Sequence, residues 1–226
     1  MIPKSLSKFG LKTAYDYIEK NPERNLPKLM EWVDRLAGDG PDSFPAQREA
    51  FRTVINDPDN NMYQLIMNIF REVDNDVVKA VFENFFLNAN IIGWPKQEEM
   101  RAKYNCNIPW AILLDPTSAC NLHCTGCWAA EYGNKLNLTL GEIDCIIHQG
   151  KELGIYMYIY TGGEPLVRKQ DIITLCERHP DCQFLAFTNA TLIDEAFADD
   201  MLRVKNFIPA ISLEGFEMAT DGRRGR

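Results

Sequence analysis

Apolar positions in the first hundred residues recur every three or four places, the period of a helix with one buried face. Met62, Leu65, Ile66, Ile69, Phe70 and Val73 make one such stripe. Val77, Val78, Val81, Phe82, Phe85, Phe86 and Ala89 make a second beyond the polar break Asp74-Asn75-Asp76, and Leu29, Trp32, Val33 and Leu36 make a third. These stripes predict a packed helical region over 1–105, although the aromatic run from Phe82 to Ile92 would also suit a membrane surface. Pro95 and the charged stretch Lys96 to Lys103 place a boundary near residue 105.

Beyond it the rhythm changes to short β-rich runs: Trp110 to Leu114, Ile155 to Tyr160, Gln183 to Thr188 and Phe207 to Ser212. Helical segments separate them. One is opened by Thr139 with Glu142 three places on, the signature of a capping box, and others lie around Gln170 to Arg178 and Asp194 to Val204. Strands alternating with helices predict a parallel sheet of βαβ units over 106–226, with chemistry just past the C-terminal ends of the strands. The fold class expected is therefore α/β, a partial (β/α) barrel of the TIM type cut off after about four strands and preceded by the helical region. A full barrel takes ~250 residues, so the 226-residue sequence reads as a fragment of a longer chain.

Composition narrows the function. Lys and Arg number 24 against 32 Asp and Glu, a net charge of −8, which argues against binding nucleic acid through its phosphates. The basic cluster Arg223, Arg224 and Arg226 is confined to the end of the chain. No apolar run reaches the ~18 residues of a membrane span, and Met1 to Lys8 has no signal-peptide core, so the expected location is the cytoplasm. The seven cysteines are too few for a disulfide scaffold, and three crowd between Cys120 and Cys127.

Those three form CxxxCxxC, Cys120, Cys124 and Cys127, in the loop after the first predicted strand. Thiolates at this spacing can each hold one iron of a [4Fe–4S] cube and leave the fourth iron open. Structural zinc is the competing reading and wants four ligands. Cys106 could be the fourth but lies across the strand, and His123 adjoins Cys124 and would point away. Cys145 and Cys176 read as small buried hydrophobes, Cys182 has no assigned role, and His148 and His179 read as isolated histidines rather than ligands.

The region from Trp110 to Arg226 resembles the radical S-adenosylmethionine (radical SAM) enzymes, whose signature is CxxxCxxC after the first strand of a partial (β/α) barrel. Gly162-Gly163-Glu164-Pro165, after the second strand, matches the family's GGEP motif. Thr188-Asn189-Ala190-Thr191 resembles its TNG segment with Ala190 in place of glycine, and Ser212-Leu-Glu214-Gly215 resembles SxDG with Glu for Asp. Arg224 stands where relatives place a cofactor-contacting arginine. Gly126 replaces the usual aromatic before the third cysteine, and Trp128 could take over its stacking role.

The resemblance implies a [4Fe–4S] cluster on Cys120, Cys124 and Cys127. It implies S-adenosyl-L-methionine bound by Gly162, Gly163, Glu164, Pro165, Asn189, Ser212, Glu214 and Arg224, with no catalytic residue beyond the cluster ligands. An electron from ferredoxin or flavodoxin would cleave the cofactor to a 5′-deoxyadenosyl radical that abstracts hydrogen from a substrate, by family analogy a peptide or protein. The alternative is a zinc- or cluster-stabilised binding module without catalysis.

Overall fold

The structure is a computed structural model and describes residues 13–37 and 45–225. Met1 to Lys8 and Arg226 lie outside them. The chain divides into two compact units, residues up to Phe82 and residues from Glu83 onward.

The first unit is helical: α1 (13–20), α2 (Pro22–Ala37), α3 (Pro45–Ile55), α4 (Asn61–Glu72) and α5 (Asn75–Val81). Its core is Ile18, Leu26 and Met67, packed by Leu29, Tyr63, Ile66 and Phe70. The stripe expected on α4 thus merges two faces. Ile66 and Phe70 turn inward beside Tyr63 and Met67, whereas Met62, Leu65, Ile69 and Val73 stay exposed. Tyr15 is fully buried, donates to the Asn75 carbonyl at 3.1 Å and lies 5.5 Å from the Phe82 ring. Burial among carboxylates pushes its phenol up to about 12.

The second unit begins inside a π-helical segment, Phe82–Ile92, that runs into α6 (Gly93–Tyr104). Apart from Phe82, both fall in the compact unit that holds the sheet. The physical reason is hydrogen bonding to the loops that enter the strands. The Asn84 amide donates to the carbonyls of Pro180 and Cys182, each at 3.1 Å, Asn88 to that of Asp181 at 3.0 Å, and Gln97 to that of Gly154 at 2.8 Å.

The sheet has four parallel strands in the order β1 (Ala111–Leu114), β2 (Met157–Tyr160), β3 (Gln183–Thr188), β4 (Phe207–Ile211). The crossovers carry α7 (Leu140–Glu152), α8 (Lys169–Arg178) and α9 (Glu195–Val204), and α10 (Glu217–Arg224) follows β4. This is the expected strand–helix alternation of a partial (β/α) barrel. Thr139 and Glu142 close both hydrogen bonds of the capping box on α7. Tyr158, Tyr160 and Phe184 stack beneath the helices with Ile143, Ile147, Ile172 and Phe197. Gly150 makes room for this layer, since a Cβ there would lie 2.2 Å from the Tyr158 hydroxyl. On the other face Leu113 and Phe187 are half exposed or more. No helix among the described residues is long and apolar enough to cross a membrane.

Candidate active site

The chemistry-bearing residues meet at the C-terminal ends of the strands. The segment after β1 is braced first. The Thr117 hydroxyl donates to Asn137 at 2.6 Å, and Ser118 N–H to the Leu136 carbonyl at 2.8 Å. Arg168 reaches across to the carbonyls of Pro116 and Leu138.

The loop after β2 packs on this segment from the other side. Gly163 N–H donates to the Thr117 carbonyl at 3.1 Å and Glu164 N–H to that of Ala119 at 2.8 Å. A Cβ on Gly163 would sit 2.2 Å from the Ala119 oxygen, and one on Gly162 would sit 2.7 Å from the Thr117 oxygen. Both glycines are therefore required by backbone packed on backbone, which sets where the chain enters Cys120.

Glu164 fastens the third strand to the second. Its side chain is buried, and its carboxylate accepts from the Thr188 hydroxyl at 2.7 Å, Asn189 N–H at 2.8 Å and Leu166 N–H at 3.0 Å. Asn189 continues the chain of contacts by donating to Asn121, between the first two cysteines, at 3.0 Å. From β4, Ser212 N–H donates to the Thr188 carbonyl at 2.9 Å. Arg224 donates to the Ser212 carbonyl at 3.1 Å and to the Glu214 carboxylate at 2.8 Å, with its other terminal nitrogen 3.9 Å from the Cys124 sulfur. Arg223 also pairs with Glu214, and its carbonyl accepts from Thr125 N–H at 2.8 Å. The two guanidiniums hold the Glu214 carboxyl below the usual carboxylate range, hydrogen bonding from Arg223 contributing most.

These elements enclose a cleft of about 340 Å³ lined by Cys120, Cys124, Cys127, Gly162, Gly163, Glu164, Asn189, Ser212, Glu214 and Arg224. All three thiols are free. Burial raises the Cys120 thiol first, opposed by the Leu122 amide, with Glu164 and the two neighbouring thiols adding to the rise. Of the other cysteines, Cys106 and Cys145 are exposed, while Cys176 and Cys182 are buried. Cys106 does not line the cleft, whereas His123 lines a smaller pocket beside it that the three cysteines share.

Residues 114–225 match the family model of the Radical SAM superfamily. The chain belongs to this superfamily. Its curated relatives include an uncharacterised protein of Methanocaldococcus jannaschii, 30% identical over 47% of this chain and 39% of its own length. They also include Fe-coproporphyrin III synthase of Methanosarcina barkeri, 30% identical over 50% of this chain and 29% of its own length. GTP 3′,8-cyclase of Shewanella denitrificans is 38% identical over 34% of this chain and 24% of its own length. The match thus spans less than two fifths of each of these relatives. A structure of Streptococcus suis SuiB bound to S-adenosylmethionine aligns with a TM-score of 0.49 at 20% identity, over 78% of this chain and 44% of that one.

Of the residues predicted to hold the cluster or the cofactor, Pro165 alone stands outside the cleft. It is buried at the first turn of a 3₁₀ helix, Pro165–Arg168, where its fixed φ suits a helix start. Ala190, in the place of the usual glycine, takes the left-handed conformation that a glycine would adopt freely, φ 64°. Trp128 is 61% exposed on the cleft wall and meets Tyr132 edge to face, so it is no core tryptophan. Sequence reasoning missed Thr188, Asn121 and Arg223. Each acts through polar contacts made across the fold, and isolated polar residues give no periodic signal.

Proposed function

We propose that this chain holds a [4Fe–4S] cluster on Cys120, Cys124 and Cys127 and uses it to act on S-adenosyl-L-methionine. The observation that carries the reading is the convergence of three free thiols in one cleft with the loops that end all four strands. The donor set fits a cluster better than one ion. The Cys, His, Asp and Glu trio close enough for a single metal, among the described residues, lies elsewhere, at Asp144, His148 and His179. A structural zinc site would want a fourth protein ligand. Arg224 adds an unused donor, since its Nε is buried without a partner.

When bound, the cluster and cofactor supply a 5′-deoxyadenosyl radical that abstracts hydrogen from an organic substrate, after one electron from a low-potential donor such as ferredoxin or flavodoxin. The chain's own residues bind and orient. Gly162, Gly163 and Glu164 fix the path into Cys120, and Asn121 and Asn189 tie the cysteine loop to β3. Arg224 and Ser212 offer a guanidinium and a hydroxyl on the far wall, and Trp128 offers an aromatic face for an adenine. Free thiols suit a reducing compartment such as the cytoplasm.

Anaerobic reconstitution with iron and sulfide tests the reading. The expected product is brown, holds about four iron and four sulfide per chain, and its reduced electron paramagnetic resonance spectrum shifts on adding S-adenosylmethionine. A colourless protein with stoichiometric zinc would overturn it in favour of a zinc-stabilised binding module.

A further inference from the structure

Two histidines that look isolated along the sequence meet on the opposite side of the unit. Asp144 and His148 lie one turn apart on α7, and His179 caps the C-terminal end of α8, just before β3 begins. His179 Nε2 is 3.0 Å from one Asp144 oxygen, and His148 Nε2 is 3.9 Å from the other. The two imidazoles stand edge to face, 4.8 Å between centroids. One ligand atom from each of the three residues lies within 4.8 Å of the others.

We propose that Asp144, His148 and His179 form a second metal site, separate from the cysteine cleft, for a divalent transition ion of the zinc type. The donor set of two imidazoles and one carboxylate is one that zinc accepts at ~2.0–2.2 Å, leaving a position for water. Bonds of that length place ligand atoms somewhat over 3 Å apart. Asp144 and His179 are already at that spacing, and rotation of His148, whose side chain is 66% exposed, closes the third side. His179 is buried, Asp144 is partly buried with its side chain 22% exposed, and His148 faces solvent, which gives the ion a fixed ligand and a way in. An i, i+4 pair on one helix face brings the first two ligands together without tertiary structure.

The charged groups around the trio are Arg178, Lys151 and Asp181. Arg178 lies 3.5 Å from Asp144 and competes with a cation for it, but its side chain is half exposed and free to swing away. Lys151 is occupied by Asp181 at 2.6 Å. Burial holds His179 in its neutral form, opposed by the Asp144 hydrogen bond, and neutral imidazole is the form that ligates. An ion here would link α7 to the end of α8, at the end of β3 remote from the cysteine loop.

The test compares wild type with His148→Ala, whose exposed position spares the fold. Zinc is titrated calorimetrically into both under reducing conditions, and cobalt is then used as a spectroscopic stand-in. Wild type is expected to bind one zinc equivalent more than His148→Ala. Cobalt at that extra equivalent should show visible d–d bands without the sulfur-to-metal charge transfer of thiolate ligands, which separates this site from the three cysteines. Asp144→Asn, which removes the anionic ligand, should weaken the extra site, and Arg178→Ala should strengthen it. Equal stoichiometry and affinity in wild type and His148→Ala would overturn the proposal and leave the trio as a hydrogen-bonded staple between two helices.

Discussion

Glu164 shows how one residue in a motif can organise the site as well as line it. Its buried carboxylate takes three hydrogen bonds that join the loop after β2 to the end of β3. Glu164→Ala would strand the Thr188 hydroxyl and two backbone N–H groups, so a loss of about 3 kcal/mol is expected in urea unfolding. Glu164→Gln should lose less, because its carbonyl oxygen can still serve Thr188 and Leu166 while its amide N–H₂ opposes the Asn189 N–H. A change below about 0.5 kcal/mol for Glu164→Ala, the scale of an ordinary surface substitution, would contradict this role. The role was hidden in the sequence, where the family resemblance implies only a cofactor contact. The glycines before Glu164 were legible as motif residues, and the atoms nearest to where a Cβ would stand include the backbone of residues 117, 118 and 119.

At the scale of elements, strands and helices of the second unit were readable where side chains alternate or caps are local. β3 spans Gln183–Thr188 as its run of apolar residues predicts, and the Thr139 capping box starts α7 where its spacing places it. The stripes of the helical region were less reliable. A π-helical turn shifts the register after Phe82, so residues expected on one face divide between two compact units. α10 gave no apolar periodicity and went unpredicted. Its arginines are held by Glu214 and by the cysteine loop, contacts that sequence spacing does not encode.

The link between α7 and α8 also sets a pH dependence. Burial lowers the His179 pKa, against the Asp144 hydrogen bond, while Asp144 itself lies low because His179 and Arg178 outweigh its burial. Below the ordinary histidine value of ~6.5 the unfolded chain takes up a proton that the folded chain refuses, so stability is full above that value and falls as the pH drops through the window beneath it. Urea midpoints should therefore decline from pH 7.5 to 5.5, and His179→Asn should flatten the decline. An unchanged slope in the variant would assign the acid sensitivity to other groups.

At the scale of the whole molecule, the described residues of the candidate site come from the sheet, its loops and α10. The partial barrel brings residues from four separate loops, scattered over 105 positions between Cys120 and Arg224, to one cleft. The order of strands makes that convergence automatic, since parallel βαβ units deliver every loop to the same end of the sheet. The direct test is to reduce the anaerobically reconstituted protein, add S-adenosylmethionine, and measure 5′-deoxyadenosine in wild type and Cys124→Ala. The account predicts product from wild type and none from the variant. A fully loaded four-iron cluster that yields no 5′-deoxyadenosine, or equal yields from both proteins, would contradict it.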